Sequence, residues 1–226
     1  MRLLVVGHGR TGRLVAALAG EYGCEVAGII DSRSAARLDG AASGVDVAID
    51  FSTPDAVAAN VPALARLGVN MVIGTTGWQT HESAIRRAVA EANVGAVVAP
   101  NFSAGVVIFS ELVRRAAELF RSQTDFGAWL HEAHHAGKKD APSGTALMLV
   151  RDMERAGYGR RIDVSSTRAG HVPGAHEIGF DGPAETVTLS HVARDRTAFA
   201  RGALLAAQWI KGRRGWYSMS DVLGLT

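Results

Sequence analysis

The chain of 226 residues is long enough for one large domain or two small ones. Its 24 Lys and Arg against 22 Asp and Glu leave a formal net charge of +2, which is too small and too dispersed to indicate a nucleic-acid or membrane-surface partner. The single cysteine, Cys24, excludes an internal disulfide and predicts a reducing, cytoplasmic location. No apolar run reaches the roughly 18 residues that a membrane span needs, so we expect no membrane partner.

The first half of the chain alternates predicted strands with predicted helices. Short apolar runs predict five strands, at residues 2–6, 25–30, 46–51, 70–74 and 96–99. Helical spacing of apolar residues follows the first strand and recurs at 54–67 and 78–93. Unbroken apolar strands separated by helices are typical of a parallel sheet covered on both faces. The pattern therefore predicts an α/β fold with an N-terminal Rossmann-type parallel sheet.

The regular alternation of predicted strands and helices ends after about residue 106. A predicted helix at 106–120 leads to a predicted strand at 125–132, a polar loop and a helix that begins near Ser143. Three further strands are predicted with turns and no helices between them, at 162–168, 174–180 and 184–192. This indicates a second, α+β domain built on a mixed or antiparallel sheet. A last apolar helix, 198–211, precedes a tail at 215–219 that we expect to pack.

A glycine-rich turn directly follows the first predicted strand. Gly7 makes the tight turn, Gly9 lets the backbone approach a pyrophosphate, and Gly12 lets the following helix pack against the sheet. An acidic residue, Asp31, ends the second strand 19 residues after Gly12, as in dinucleotide-binding folds. The alternative interpretation is a glycine-rich turn that binds no ligand. The predicted cofactor contacts in the turn are Gly7, Gly9, Arg10, Thr11 and Gly12.

The acidic residue also bears on which nicotinamide cofactor is used. Asp31 would accept hydrogen bonds from a ribose 2′-hydroxyl and repel a 2′-phosphate, which slightly favours NADH. Arg33 could offset that repulsion, with help from Arg10 or Arg13, so NADPH stays open.

Three more strand ends carry polar or glycine-rich segments: 50–52, 74–77 and 99–103. Ligands bind at the carboxyl ends of strands in parallel sheets, so these segments are candidate cofactor contacts. Helix capping by Ser and Thr is the alternative. Phe51, Thr75 and Thr76 are the predicted contacts in the first two segments.

A polar loop at 132–146 separates an apolar strand from an apolar helix. It holds His134, His135, Lys138 and Lys139, in a chain with 21 arginines and only 3 lysines. Proton donors and compact ammonium groups together suit an anionic substrate that is protonated during reaction. The helix opened by residues 143–145 offers free N–H groups and two hydroxyls to a carboxylate.

The composition of this loop also fits two other interpretations. His131, His134 and His135 could be metal ligands, but neighbouring strand residues point in opposite directions and no Asp, Glu or Cys at ligand spacing completes a site. We therefore predict no metal. A merely solvated loop is the second alternative.

Residues 132–145 resemble the signature of the 4-hydroxy-tetrahydrodipicolinate reductase family, also called dihydrodipicolinate reductases. Other segments resemble that family in the same order, so the resemblance covers essentially the whole chain; they are 74–77, 99–103, 105–106, 199–203 and 215–217. Three departures concern the cofactor and the subunit contacts. The chain looks short, its glycine turn is one residue tighter than in many members, and Ala175 stands where the family often has Glu.

The resemblance implies reduction of 4-hydroxy-tetrahydrodipicolinate by NADH or NADPH, with loss of water, in lysine and diaminopimelate biosynthesis. It implies two catalytic residues: His134, the acid that protonates the ring carbon as hydride arrives, and Lys138, a cation that binds a substrate carboxylate. It implies a dicarboxylate site formed by His135, Ser143, Gly144, Thr145 and Thr76. It implies that the nicotinamide end is positioned by Gly74, Thr76, Ala99, Asn101 and Phe102.

The same resemblance implies a homotetramer in which the sheets of the second domains meet and the C-terminal helix returns to the first domain. We thus expect a dinucleotide-binding domain at 1–106 plus 199–226, and a substrate-binding and oligomerisation domain at 107–198. The alternatives are a related dehydrogenase acting on another amino- or imino-dicarboxylate, and a non-catalytic NAD-binding sensor.

Overall fold

The computed structural model describes residues 1–31 and 38–225. The chain divides into two compact units, one formed by Met1–Ala104 with Arg196–Thr226 and the other by Gly105–Asp195.

In the described residues the strands are β1 Arg2–Val6, β2 Glu25–Ile30, β3 Val47–Asp50, β4 Asn70–Ile73, β5 Gly95–Val98, β6 Gly127–His134, β7 Ile162–Arg168, β8 Ala175–Asp181, β9 Thr186–Val192 and β10 Gly215–Tyr217. The α-helices there are α1 Arg10–Leu18, α2 Leu38–Ala41, α3 Pro54–Arg66, α4 Glu82–Glu91, α5 Ala104–Phe120, α6 Gly144–Arg155, α7 Thr197–Ile210 and α8 Met219–Val222.

The first unit contains a six-stranded sheet in the order β10-β5-β4-β3-β1-β2, and every pairing in it is parallel. β3 and β4 are buried along their whole length, as expected for parallel strands covered on both faces. The predicted Rossmann-type sheet is therefore confirmed. The strand order changes direction between β1 and β3, and the carboxyl ends of these strands are where such sheets bind ligands.

Two details of this sheet differ from the sequence prediction. The tail after α7 does pack, but as a sixth strand, because β10 pairs with β5 through residues 215–217. The predicted helix at 78–93 is split into a 3-10 turn, Gln79–His81, and α4. Trp78 belongs to the preceding loop, where its buried indole donates a hydrogen bond to the Thr75 carbonyl at 2.7 Å.

Asn70 joins three elements of the first unit. Its buried side-chain amide donates to the carbonyls of Ile210 at 2.6 Å and Arg213 at 3.1 Å, just where α7 ends. Its Oδ1 accepts from the Gly95 amide at 2.8 Å. One side chain thus links β4, β5 and the end of α7.

The second unit contains a mixed four-stranded sheet in the order β7-β6-β8-β9. β6 and β7 are parallel, whereas β8 is antiparallel to both β6 and β9. Apolar residues of α5, α6 and the sheet form one buried cluster that includes Val113, Leu149, Leu130 and Ile178. The predicted mixed sheet is confirmed.

β6 begins and ends two residues later than predicted. It runs through His134, whose register partner on β7 is Arg168. The histidine that sequence reasoning assigned to a loop therefore lies in a strand, where it pairs with β7, while the pairing with β8 ends at the preceding residue, Ala133.

Among the described residues, no helix combines the length and the apolar character needed to cross a membrane.

Candidate active site

The glycine turn after β1 has no space for a side chain at two of its three glycines. A side chain at Gly7, whose φ is +91°, would put its Cβ 2.3 Å from the Phe51 carbonyl oxygen, and one at Gly12 would lie 1.8 Å from the Gly7 oxygen. Gly9 has nothing within 4 Å of the position a Cβ would take, so open space lies above it. Gly9 also precedes α1 and has no side chain that could cap the helix. The first N–H groups of α1 therefore receive no side-chain cap.

A cleft of about 360 Å³ lies beside this turn in the first unit. Ser52 and Pro54 line the cleft together with six of the predicted cofactor and substrate contacts. The six predicted contacts are Arg10, Thr11, Phe51, Gly74, Thr75 and Thr76. The Phe51 ring occupies the space where a Gly74 Cβ would sit, at 2.1 Å, so the glycine permits that ring position. Phe102 meets the same ring edge to face, with centroids 6.0 Å apart.

A buried carboxylate that sequence reasoning left without a role connects the β3 and β4 ends of this cleft. Asp50 Oδ1 accepts hydrogen bonds from Ser52 Oγ at 2.7 Å and from Thr75 Oγ1 at 2.8 Å. Burial raises the pKa of the Asp50 carboxyl, and these hydrogen bonds oppose that rise. Its position as the last residue of a buried strand was the available signal.

The remaining predicted cofactor residues of the first unit lie at strand ends. Asp31 directly follows β2, and Ala99 is buried directly after β5. Asn101 Oδ1 accepts from the Ser103 amide at 2.8 Å, which fixes the loop before α5. Arg13 donates its Nε to the His8 carbonyl at 3.1 Å. Arg33 lies outside the described residues.

In the second unit, Glu132 and His134 form a short pair on one face of β6. The side chain of Glu132 is fully buried, and its Oε2 lies 2.5 Å from His134 Nδ1. Arg168 on β7 donates Nη1 to Oε2 at 2.9 Å and Nη2 to Oε1 at 2.6 Å. The predicted acid, His134, therefore lies beside the Glu132–Arg168 ion pair, which sequence spacing did not suggest.

The pKa values of this group follow from burial and hydrogen bonding. Burial alone would raise the pKa of Glu132, but hydrogen bonds from Arg168, Ser166 and His134 outweigh it and lower the pKa to about 2. Burial lowers the pKa of His134, while the Glu132 carboxylate opposes that change. Glu132 is thus ionised at neutral pH, and His134 gives up its proton more readily than an ordinary histidine.

His176 on β8 is a second histidine that sequence reasoning missed. Its ring lies 5.2 Å from that of His134, and its Nε2 lies 3.0 Å from Ser143 Oγ. Burial lowers the pKa of His176 to about 4, so the ring is neutral at pH 7. Ser143 is buried as well, caps α6 through the Ala146 amide, and donates its own amide to Glu132.

The loop between β6 and α6 carries the predicted cation. Lys138 Nζ contacts both carboxylate oxygens of Asp140, at 2.8 and 2.9 Å. The backbone of Lys138 donates to the His135 carbonyl at 3.0 Å. Gly144 and Thr145 are the first two residues of α6, and their place in a carboxylate site stays a prediction.

Comparisons with known proteins identify the family. A family model described as "Dihydrodipicolinate reductase, N-terminus" matches residues 1–102, and one described as "Dihydrodipicolinate reductase, C-terminus" matches residues 105–223. The chain belongs to the dihydrodipicolinate reductase family.

Curated relatives and a solved structure agree with this family. A 4-hydroxy-tetrahydrodipicolinate reductase of Rhodopseudomonas palustris is 36% identical and covers 100% of this chain and 98% of its own length. One from Methanosarcina barkeri is 41% identical over 199 residues, covering 81% of this chain and 74% of its own. The dipicolinate-bound dihydrodipicolinate reductase of Paenisporosarcina sp. TG-14 has the same fold, with a TM-score of 0.84 at 20% identity and 98% coverage of both chains.

Within this reductase-family fold, Glu132, His134 and His176 also have the composition of a metal site. One ligand atom from each lies within 4.8 Å of the others. However, both oxygens of Glu132 already accept hydrogen bonds from Arg168, whose positive charge would oppose a cation. The arrangement is better suited to holding and moving a proton. The absence of a metal stays a prediction.

Proposed function

We propose that the chain reduces 4-hydroxy-tetrahydrodipicolinate with NADH or NADPH, with loss of water, to tetrahydrodipicolinate in lysine and diaminopimelate biosynthesis. The observation that carries this is the Glu132–His134 pair beside the Lys138 loop and the start of α6, in a chain whose residues 1–102 and 105–223 match the dihydrodipicolinate reductase family. A proton source and a carboxylate site thus adjoin each other in the second unit.

The first unit has the residues that a dinucleotide needs. The open space above Gly9 and the uncapped start of α1 fit a pyrophosphate, and the cleft lined by Phe51, Gly74 and Thr76 fits the nicotinamide portion. When bound, the reduced nicotinamide supplies the hydride. Asp31 at the end of β2 supports NADH as the slightly preferred form, because its charge repels a 2′-phosphate.

The second unit has the residues that act on the substrate. His134 donates the proton to the ring carbon, and the two carboxylates of the substrate favour its protonated form by Coulomb attraction. Lys138 binds one carboxylate. Its pair with the largely exposed Asp140 is worth about 0–1 kcal/mol, so a substrate carboxylate can replace Asp140 at small cost. His135, Ser143, Gly144 and Thr145 complete the carboxylate site within the second unit.

The proposal includes an assembly and a location. We propose a homotetramer formed through the sheets of the second units, in the cytoplasm. The dinucleotide-binding role goes with residues 1–106 and 199–226, and the substrate and assembly role with 107–198.

The test is oxidation of NADH or NADPH, followed at 340 nm, with 4-hydroxy-tetrahydrodipicolinate as substrate. We expect turnover with both cofactors and a higher kcat/KM with NADH. His134→Gln and Lys138→Ala should each lose at least about tenfold in kcat, which positioned acids and cations normally contribute. Lys139→Ala removes an adjacent exposed lysine and serves as the matched control.

Other outcomes assign other functions. Turnover only with a different imino-dicarboxylate would make the chain a related dehydrogenase. Cofactor binding without turnover of any such substrate would make it a sensor. Near-wild-type rates for both the His134 and Lys138 variants would show that this loop is not the active site.

A further inference from the structure

A carboxylate lies on the core side of β6, where an apolar residue is the usual choice. Burial alternates along this strand, and Ala128, Leu130 and Glu132 are its buried positions. The Glu132 side chain is 0% exposed. A buried charge is costly unless it is paired and hydrogen-bonded, so its presence calls for a reason other than packing.

The surroundings of Glu132 keep it ionised and fixed in place. Arg168 contacts both carboxylate oxygens, and the Ser143 amide donates to Oε1 at 3.2 Å. The same Arg168 Nη2 also donates to the Asp140 carbonyl at 2.6 Å, which links the guanidinium to the loop before α6. Three segments, β6, β7 and the start of α6, therefore hold one carboxylate in a single orientation.

That orientation determines which nitrogen of His134 carries a proton. His134 is two residues after Glu132, so both side chains lie on the same face of β6, with Nδ1 2.5 Å from Oε2. An ionised carboxylate only accepts hydrogen bonds, so Nδ1 must donate. Nε2 is then the nitrogen that gains and loses the second proton.

A glycine without a side chain lies next to Nε2. A Cβ built on Gly174 would lie 3.1 Å from His134 Nε2, and the φ of Gly174 is +147°, where side chains are rarely found. A larger residue there would press on Nε2. Glycine at position 174 therefore spares the nitrogen that Glu132 leaves available from contact with a side chain of this neighbour.

Other charged or titratable groups near the His134 ring affect how readily it is protonated. Arg168 on β7 and Lys138 in the following loop disfavour the imidazolium, and so does burial, whereas Glu132 favours it. His176 on β8 packs against the ring edge to face. Among these groups, Glu132 is the one that stabilises the protonated form.

We infer that Glu132 is a positioning residue: its buried carboxylate holds His134 with the proton on Nδ1 and leaves Nε2 as the proton donor to the substrate. The inference rests on the proposed function only for the identity of the substrate. The orientation and the tautomer of His134 are properties of the protein alone.

The first measurement needs no substrate. Long-range ¹H–¹⁵N correlation spectra of the full chain at pH 8, with His134 assigned by its loss in His134→Gln, report the tautomer of the neutral ring. We expect a proton on Nδ1 and none on Nε2. In Glu132→Gln, whose amide can donate as well as accept, this preference should weaken. A wild-type ring with its proton on Nε2 would overturn the inference, whatever the activity.

The second measurement is catalytic. Glu132→Gln should lower kcat about 10- to 100-fold, while KM for NADH stays within about twofold. Loss of the carboxylate lowers the pKa of His134 further, so the fall in kcat/KM at high pH should begin at lower pH. Glu132→Asp should recover part of the rate. Glu177→Gln, on the adjacent strand β8, is the matched control.

Failure of the inference and failure of the proposed function are distinguishable. If wild-type protein turns over 4-hydroxy-tetrahydrodipicolinate but Glu132→Gln keeps its kcat and pH profile, Glu132 does not position the acid. If the wild type is inactive on this substrate, the proposed function fails, and the spectra still decide the tautomer.

Discussion

Ser143 shows how one small side chain can serve three neighbours in the second unit. Its Oγ accepts from the Ala146 amide at 3.2 Å and lies 3.0 Å from His176 Nε2, and its amide donates to Glu132. Because the neutral His176 ring can accept at Nε2, the Ser143 hydroxyl can donate there while it caps α6. The role of Ser143 in substrate binding stays a prediction, and its hydroxyl already has two partners.

The buried His176 should make stability depend on pH. Burial lowers its pKa to about 4 from an ordinary value of 6.5. Between about pH 6.5 and 4 the unfolded chain therefore binds a proton that the folded chain does not, and the free energy of unfolding falls as pH falls. We expect His176→Gln to remove about 1–2 kcal/mol of this decline, less than the full shift gives because the measured range ends at pH 4.5, above the pKa of His176 of about 4.

Urea denaturation followed by circular dichroism from pH 7.5 to 4.5 measures this difference. His171→Gln changes an exposed histidine of the same unit and should leave the decline as in the wild type. An equal decline in wild type and His176→Gln would contradict the assignment of the pH dependence to His176.

At the residue scale, the sequence motif predicted where the second-unit site lies but not which side chains from other strands contact it. The loop motif predicted His134 and Lys138 from the chemistry of their side chains. Arg168 and His176 were missed because strand pairing brings them to β6 from 34 and 42 residues beyond His134 in sequence, which local spacing does not reveal. Glu132 could have been noticed, since alternation from Ala128 and Leu130 puts it on the buried face.

At the scale of elements, Asn70 makes the clearest test of how the first unit is held together. Asn70→Ala would remove the side-chain partner of the buried Gly95 amide and of the Ile210 and Arg213 carbonyls, of which the Ile210 carbonyl keeps the Arg213 amide as a donor at 2.9 Å. We expect a loss of about 2–4 kcal/mol in the free energy of unfolding, because several buried polar groups lose hydrogen bonds at once. Chemical denaturation measures it, and Gln79→Ala, an exposed amide, is the control.

Amide hydrogen exchange gives a local check on the same variant. The Gly95 amide should exchange faster in Asn70→Ala than in the wild type, relative to amides of β1. A loss below about 0.5 kcal/mol, with unchanged protection of Gly95, would mean that the backbone finds other partners.

The elements themselves were predicted to different extents for physical reasons. β1–β5 lie within one residue of their predicted bounds, because each is a continuous apolar run between helices. β10 was missed as a strand because it has only three residues and pairs with β5, 120 residues earlier. The two-residue shift of β6 reflects pairing with β7 and β8, which extends the strand into the polar motif.

At the scale of the whole molecule, the proposed tetramer depends on one face of the second sheet. This face lies opposite the α5 and α6 cluster, and its side chains include Trp129, Ser165, Thr167 and Thr188. The Trp129 indole covers Gly179, where a Cβ would lie 2.2 Å from the ring. The hydroxyl residues named are exposed, and Asp163 and Glu177 lie on the same face, so a second sheet that packs here meets a polar surface around the tryptophan.

We expect wild-type protein to have four times the 23.7 kDa mass of one chain by light scattering after size exclusion. Thr188→Lys puts a charge on the sheet face, and burying several like charges in the assembly should shift the mass to that of a dimer or monomer. Thr124→Lys adds the same charge at an exposed turn and should not. A tetramer that tolerates Thr188→Lys would exclude this face as the interface.

The pairing of β5 with β10 has a consequence for how the chain acquires its structure during synthesis. Every strand and helix of the second unit is translated before Arg196, so a nascent chain can fold that unit while still attached to the ribosome. Synthesis of the first unit starts earlier, but its folding is completed later, because its sheet lacks the edge strand β10 until residues 215–217 emerge. The half of the protein that carries the glycine turn is therefore made first and completed last.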